Sequence, residues 1–240
     1  MATYKKFDPS KECISLLLKG VSGTGKTTVA AQFPKPCLIE FDKNVSCLRK
    51  LPAEVVDEVK IFDPLTYPDG KAVEPTKIWD YFIKNLVEIA KDPEVKTIVI
   101  DTLTTALSAL SNSILGTSSP KEQFKIQDWG TFGRYLAWLG DNLIQVKGKD
   151  KHIVVVCHEN TEIDKDGNFH GWTLAIGGQM RRNFELYFSD VWQCTVSQTG
   201  EYLINTKPNK WVTAKCSLDI PKNPFPFNEY KDLIMKQLAD

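Results

Sequence analysis

The sequence has no excess of charge of either sign, since its 30 lysine and arginine residues are balanced by 30 aspartate and glutamate residues. This balance excludes a chain that coats nucleic acid without sequence preference, so any contact with nucleic acid would need a local patch. The sequence also has no apolar run of 18 residues, which excludes a transmembrane helix. Residues 1–10 are polar and lack the apolar stretch of a secretory signal. We therefore expect a cytoplasmic protein that makes no contact with a membrane.

Cysteine pairs with metal-binding spacing are also missing. None of the six cysteines forms a C-x-x-C pair, and Cys37 and Cys157 lie inside apolar runs. Buried free cysteines of this kind are typical of reduced core thiols in a cytosolic protein. His158 and His170 have no cysteine or acidic residue at a useful ligand spacing, so we expect no zinc site.

Short apolar runs alternate with helical patterns along the first two thirds of the chain. The runs typical of buried strands are 14–18, 37–41, 59–62, 97–100 and 152–157. Between them, apolar residues recur every three or four positions over 78–89 and 132–146, which is typical of amphipathic helices. Residues 103–122 are compatible with a frayed helix followed by a mobile loop. Strands that alternate with helices predict an α/β fold, with a mostly parallel sheet flanked by helices.

The last third of the chain has a different pattern. Residues 158–178 contain four glycines and few aliphatic residues, and they predict a long loop or a hairpin. Three short antiparallel strands are predicted after it: Val191–Val196, Tyr202–Thr206 and Trp211–Ala214. A terminal helix is expected from about Asn228 to Leu238. The whole pattern predicts one domain over residues 1–240, with antiparallel strands added at the C-terminal side of the parallel sheet.

The strongest motif is a phosphate-binding loop between the first apolar strand and a helix. It consists of Gly20, Val21, Ser22, Gly23, Thr24, Gly25, Lys26 and Thr27, and it fits G-x-x-x-x-G-K-[ST] at every position. The glycines allow consecutive N–H groups to turn towards a phosphate, and Thr28 in the following helix is assigned to the same site. Lys26 would place a positive charge against the β and γ phosphates, and Thr27 would give its hydroxyl to Mg²⁺. The sequence therefore predicts a site for a nucleoside triphosphate with Mg²⁺.

Asp101 is the candidate carboxylate for the metal shell. It ends the apolar run 97–100, and ligands bind at the carboxyl ends of the strands in open α/β sheets. Thr102 is placed to orient this carboxylate. The alternative is an ordinary aspartate at a strand end.

Hydrolysis also needs a group that orients the attacking water. Asp42, directly after the run 37–41, is the best candidate, and Glu40 on the same face of that strand is the fallback. Both carboxylates could instead cap the strand end at the surface. His158, after the run 152–157, could sense the γ-phosphate or be a plain histidine at a strand end.

These features, together with the late segments Thr206-Lys207-Pro208 and Val212-Thr213-Ala214-Lys215, resemble the phage nucleotide-binding P-loop proteins. That family consists of short RecA-like ATPases, and some related members act in phage single-strand annealing and recombination. The resemblance implies a RecA-like core that binds ATP with Mg²⁺ at residues 20–27. It also implies that Asp42 stands where such proteins usually carry the longer glutamate, so strong basal hydrolysis is not expected.

The resemblance further implies an assembly of several subunits. RecA-like proteins receive a positive side chain from the late hairpin of a neighbouring subunit, and Lys207 and Lys215 lie in the matching region. We therefore expect a homo-oligomer in which one of these lysines acts in trans. The alternative is that both lysines keep a solvated edge strand from pairing with other chains.

DNA-binding loops are implied as well. In RecA-like proteins these loops come directly after strands of the sheet. The corresponding segments of this chain are residues 103–122 and 159–182. The second segment combines aromatic residues suited to base stacking with Arg181 and Arg182 as phosphate contacts. Its residues Phe169 and Trp172 could equally hold a hairpin to the core. Single-stranded DNA is the expected partner, and a single-strand binding protein is a second candidate.

Three functions follow from these residues. The first is a DNA-linked ATPase of phage recombination or replication, and the second is a nucleotide-dependent interaction protein with little turnover. The third is a small-molecule kinase, which usually clamps the transferred phosphate with several arginines. The chain has only four arginines, and only two of them are adjacent, which disfavours the kinase.

Overall fold

The protein is built around a sheet of nine strands. The computed structural model describes residues 8, 12–147, 150–230 and 236–238, without the side chains of Arg182 and Asn228. The strands are β1 (Ser15–Gly20), β2 (Pro36–Glu40), β3 (Lys60–Phe62), β4 (Thr97–Asp101), β5 (His152–Ile163), β6 (Phe169–Leu174), β7 (Asp190–Val196), β8 (Tyr202–Asn205) and β9 (Phe225–Pro226). The helices are α1 (Lys26–Ala30), α2 (Ala53–Val56), α3 (Ile78–Lys91), α4 (Leu103–Leu115), α5 (Ile126–Lys147), α6 (Met180–Asn183) and α7 (Lys236–Leu238).

The strand order confirms the predicted fold class. Strands β3, β2, β4, β5, β1 and β7 lie side by side in this order and run parallel, while β8 and β9 continue the sheet in antiparallel fashion. β5 lies between β1, which leads into the phosphate loop, and β4, which ends in Asp101. This is an α/β arrangement with a mostly parallel sheet and antiparallel strands at its C-terminal side.

Both faces of the sheet are buried, because successive strand residues point to opposite faces. Leu17 and Val155 belong to the apolar cluster that also contains residues of α3, α4 and α5. Their neighbours Leu16 and Val154 belong to the second cluster, which contains Val29 of α1. A strand that is buried on both sides therefore has a continuous apolar sequence. This is why the apolar runs predicted the positions of β1, β2, β4 and β5.

Helix α4 is more regular than the sequence indicated. The Thr102 hydroxyl accepts a hydrogen bond from the Thr105 N–H at 3.3 Å and caps the first turn. Gly116 ends the helix in the left-handed conformation, with a φ of 65°. The predicted frayed helix is thus a capped helix, and a loop follows it before α5.

Three expectations for the later part of the chain need correction. β5 does not end at Cys157 but continues to Ile163, because β6 pairs with its second half in an antiparallel hairpin. The predicted strand Trp211–Ala214 does not form, and Lys215 instead makes an isolated bridge to Val191. The helix predicted from about Asn228 to Leu238 is described only in part, because residues 231–235 lie outside the described residues. The described parts contain a 3-10 turn at Phe227–Glu229 and the short helix α7.

Among the residues described, none of the helices combines the length and the apolar character needed to cross a lipid bilayer.

Candidate nucleotide-binding site

The phosphate loop has a backbone that requires glycine. Gly20, Gly23 and Gly25 have φ angles of 151°, 81° and 81°, in the region that side chains disfavour. At Gly20 a Cβ atom would also lie 2.4 Å from the carbonyl oxygen of Cys194 on β7. The loop can therefore approach the neighbouring strand closely only with glycine at this position.

Lys26 lies at the start of α1 with its ammonium group inside the loop. Its Nζ donates hydrogen bonds to the carbonyl oxygens of Gly20 at 2.9 Å and Val21 at 2.7 Å. The side chain is buried, and burial lowers its pKa. An ammonium group has three N–H donors, and the contacts described here use two of them. The charge is thus held beside the position where a phosphate would bind.

The acidic residues meet the loop because β2 and β4 pair in register. Glu40 lies opposite Asp101, and the Phe41 N–H donates to the Asp101 carbonyl oxygen at 2.7 Å. The ends of these two parallel strands therefore bring Glu40, Asp42 and Asp101 to the same edge of the sheet.

Asp101 has the features of a metal ligand. The residue is only 4% exposed, and its Oδ1 has no hydrogen-bond partner among the described groups. Burial raises its pKa to about 6, opposed by a hydrogen bond from Thr27 and reinforced by the charge of Asp42. An unpartnered buried carboxylate oxygen next to the Thr27 hydroxyl fits the oxygen ligands that Mg²⁺ prefers.

The two candidate bases have different environments. Asp42 is exposed, and its Oδ2 accepts a hydrogen bond from the Thr102 hydroxyl at 3.4 Å. Glu40 is buried, and its Oε1 accepts from the Asn44 N–H at 2.6 Å. Burial raises the pKa of Glu40, and the Asn44 N–H opposes this. Asp42 is therefore the more accessible carboxylate for a water molecule.

His158 lies within β5, beside the loop rather than at a strand end. It is paired in register with Gly20, and its N–H donates to the Thr104 hydroxyl at 3.0 Å. Partial burial and the charge of Lys26 lower its pKa, so the imidazole is neutral at pH 7.

These groups surround a cavity of about 420 Å³, within the size range of small-ligand sites. Its predicted lining residues are Ser22, Gly23, Thr24, Gly25, Lys26, Thr27, Thr28, Glu40, Asp42, Asp101 and His158. Sequence reasoning did not assign Asn44, Cys47, Lys50, Leu51, Tyr202 and Phe227, which also line it. Residues 44–51 could have been suspected because they follow Asp42, whereas Tyr202 and Phe227 carry no motif that marks them.

Other predicted residues lie elsewhere. Gly20 and Val21 contribute carbonyl oxygens to Lys26 but are not part of the cavity lining. Lys207 and Lys215 are exposed and do not line the cavity, and neither does the exposed Arg181 on α6. The side chain of Arg182 lies outside the described residues. The structure thus brings together the loop, the three acids and His158, and leaves the predicted trans-acting and DNA-binding residues outside.

A buried ion pair lies directly below the loop and was not anticipated. Lys19 is 1% exposed, and its Nζ lies 2.8 Å from Glu185 Oε1 and 3.3 Å from Glu159 Oε1. It also donates to the Thr213 hydroxyl at 2.7 Å, while Gln193 Nε2 donates to Glu159 Oε2 at 2.8 Å. The Lys19 side chain is thereby tied to β5, to the 3-10 turn Phe184–Tyr187 before β7, and to the loop after β8.

Comparison with known proteins identifies the family. A family model described as an AAA domain matches residues 12–218. The chain belongs to this AAA-domain family. As an AAA domain with an intact phosphate loop, it is a P-loop NTPase.

One solved structure similar to this AAA domain is the KaiC-like protein PH0186 from the hyperthermophilic archaeon Pyrococcus horikoshii OT3. The identity is 16%, the match covers 87% of this chain and 83% of that chain, and the TM-score is 0.46. No curated protein matches the sequence.

Proposed function

We propose that this AAA domain hydrolyses ATP in the presence of Mg²⁺. The observation that carries this proposal is the buried Asp101 carboxylate, which has an unpartnered Oδ1 and belongs to a residue that lines the cavity together with Lys26 and Thr27. The residues that would hold Mg²⁺ are Thr27 and Asp101. A bound ion would supply positive charge that offsets the negative charge of the phosphates.

The other residues of the cavity have separate roles in this proposal. The loop N–H groups and Lys26 bind the phosphates. Asp42 orients the attacking water and accepts its proton, with Glu40 as the alternative base. His158, which lines the cavity beside the loop, senses the terminal phosphate.

We further propose that turnover is linked to single-stranded DNA in recombination or replication. The resemblance to phage P-loop proteins motivates this role, in which the host cytoplasm would be the site of action and a single-strand binding protein a partner. The aromatic side chains of the β5–β6 hairpin support it: Phe169 is 38% exposed and packs against Trp172 and Trp211, with ring centroids 5.6 and 5.4 Å apart. Exposed aromatic rings suit base stacking, and exposed cations such as Arg181 suit phosphate contact.

The active form in this proposal is a homo-oligomer of single-domain subunits. Lys207 and Lys215 are exposed and lie outside the lining of their own cavity, so they are available to a neighbouring subunit. One of them would complete the phosphate site in trans.

The decisive experiment measures ATP turnover with and without an unmodified single-stranded DNA oligonucleotide, at low and high salt, with particle mass recorded alongside. We expect turnover that requires Mg²⁺, rises with DNA and loses this rise at high salt. The Lys26→Ala variant should lose turnover by about 10²–10³-fold or more, as expected for a transition-state contact. DNA-independent turnover would remove the DNA link, and wild-type protein without affinity for Mg-ATP would remove the whole proposal.

A nucleotide-dependent interaction protein with little turnover is the second candidate. The observation that favours it is the short Asp42 side chain, which is in addition engaged by Thr102. It predicts tight Mg-ATP binding with negligible hydrolysis, even with DNA. A kinase is less well supported, because none of the three arginines with described side chains lines the cavity.

A further inference from the structure

The cavity has a second end, on the side of the loop away from the acids. The acids lie on β2 and β4, on one side of β1 in the sheet. Tyr202 on β8 and Phe227 after β9 lie on the other side of β1, and both line the same cavity. The cavity therefore extends from a carboxylate-rich end, past the phosphate loop, to an aromatic end.

The aromatic end is built from rings that support one another. Tyr202 is 44% exposed, and its ring rests on the loop, since a Cβ at Gly25 would lie 3.3 Å from Tyr202 Cδ1. Phe227 packs against Tyr202 with a centroid distance of 6.5 Å. On its other side Phe227 stacks on the fully buried Tyr230, at 6.3 Å and an interplanar angle of 12°. Phe227 is thus anchored to the core, and the Tyr202 ring remains available to a ligand.

The direction of a bound nucleotide follows from the charges. The terminal phosphate must lie near the metal ligands Thr27 and Asp101 and the candidate base Asp42. The α-phosphate and the nucleoside must then leave the loop at the opposite end, where Tyr202 and Phe227 lie. This argument rests on the proposed function, because it takes Asp101 as the acid at the γ-phosphate end.

We propose that Tyr202 and Phe227 form the base-binding site of the cavity and take a purine ring by stacking on their faces. Every nucleobase has a π-face, so a stacking site tolerates different bases. Strong discrimination between adenine and guanine would need buried polar groups that form hydrogen bonds with the edge of the base. The contacts assigned here are instead made by the faces of aromatic rings. The AAA domain therefore accepts GTP as well as ATP, with affinities within about tenfold of each other.

The experiment compares Mg-ATP with inorganic triphosphate and Mg²⁺ as ligands, by calorimetry or equilibrium dialysis. Tyr202→Ala should weaken ATP binding by about tenfold or more, as typical for a lost stacking partner, and leave triphosphate binding unchanged. Tyr202→Phe and Tyr202→Trp, which keep a ring, should bind ATP like the wild type. Tyr135→Ala is the matched control, because Tyr135 has a similar exposure of 42% but lies on α5 outside the cavity.

Each outcome has a defined meaning. An equal loss of ATP and triphosphate affinity in Tyr202→Ala would show that Tyr202 only shapes the loop, and would overturn the inference. ATP binding unchanged in both Tyr202→Ala and Phe227→Ala would overturn it as well. A wild-type preference of more than about 100-fold for one purine would refute the tolerance of the site. Failure of the proposed function is distinguishable, since wild-type protein would then bind neither ATP nor triphosphate.

Discussion

At the scale of single residues, the environment of Asp101 suits the binding of a metal ion but lowers the stability of the folded protein. Its carboxyl has a folded-state pKa of about 6, against an ordinary value of 3.8, because it is buried. Above pH 6 the folded protein must hold this charge in a poorly solvated position, at a cost of roughly 3 kcal/mol. Between pH 6 and 4 the folded form keeps a proton that the unfolded chain releases, so the cost fades as the pH falls.

The Asp101→Asn variant tests this reasoning. We expect the free variant to be more stable than the wild type at pH 7 by about 1–3 kcal/mol, because the buried charge is gone. This advantage should shrink as the pH is lowered to 4. Urea unfolding at both pH values measures the difference, and titration with Mg²⁺ should show that ATP binding to the variant no longer responds to the metal. A variant that is less stable than the wild type at pH 7 would contradict the assignment.

The choice between Asp42 and Glu40 as the base is also made at this scale. Asp42→Asn keeps the shape of the side chain and removes the proton acceptor, so we expect turnover to fall by about 10²-fold or more with Mg-ATP affinity retained. Glu40→Gln should have a smaller effect on turnover, because Glu40 Oε1 is engaged by the Asn44 N–H. Single-turnover rates and ATP affinities for both variants separate chemistry from binding. If Glu40→Gln has the larger effect on the rate, the two roles must be exchanged.

At the scale of secondary-structure elements, Lys19 holds β1 to its surroundings through charges that are almost fully removed from water. Deleting one partner of such a pair leaves an uncompensated buried charge and typically costs about 3–5 kcal/mol. We therefore expect Lys19→Met to lower the free energy of unfolding by roughly 3 kcal/mol, since Glu185 is partly exposed. Denaturant unfolding measures this loss.

The matched control is the double variant Lys19→Met with Glu159→Gln. It removes the strongly buried negative charge together with the positive one, so it should be more stable than Lys19→Met alone. A double variant that loses the sum of the two single effects would show that the residues do not interact.

Strands β1, β2 and β4 could be predicted because burial on both faces makes them uninterrupted apolar runs, and the glycine-rich loop could be predicted because its chemistry needs a fixed spacing. The hairpin alternative for residues 158–178 could also be predicted and is confirmed, but the continuation of β5 into its first strand could not, since residues 158–163 are mostly polar and become a strand only through pairing with β6. The Trp211–Ala214 segment shows the opposite case, because its composition is typical of a strand but no strand forms there. Its side chains make other contacts: Trp211 packs on Phe169, and Thr213 accepts a hydrogen bond from Lys19.

The same limit applies to the cavity. Its phosphate end is contiguous in the sequence, and its acids follow apolar runs, so both could be predicted. Its aromatic end is assembled by the antiparallel addition of β8 and β9 beyond β7, which brings Tyr202 to Gly25 and Phe227 to Tyr202. No local pattern encodes this contact, because it depends on which edge of the sheet the last strands extend.

At the scale of the whole molecule, His152 joins the two ends of the described chain at the start of β5. Its Nδ1 accepts a hydrogen bond from the Ile14 N–H at 3.2 Å, just before β1, and a hydrogen bond to the backbone of Leu238 in α7 also involves its ring. The ring is buried and packs edge-on against Phe33, with centroids 6.3 Å apart. A neutral imidazole can accept one hydrogen bond and donate another, whereas the protonated ring can only donate. The contact with Ile14 therefore requires the neutral form.

This requirement predicts a loss of stability in mild acid. Burial lowers the pKa of His152 from 6.5 to about 4, and the charge of Lys147 acts in the same direction, although the hydrogen bond with Leu238 opposes it. Below pH 6.5 His152 is protonated in the unfolded chain, whereas in the folded protein it stays neutral down to about pH 4. The free energy of unfolding therefore falls across this window by up to roughly 3 kcal/mol. His152→Gln keeps a donor and an acceptor but does not titrate. Urea unfolding at pH 7 and pH 4 should therefore show a smaller loss for the variant than for the wild type, whereas equal losses would mean that His152 is already protonated in the folded state or does not link the two ends.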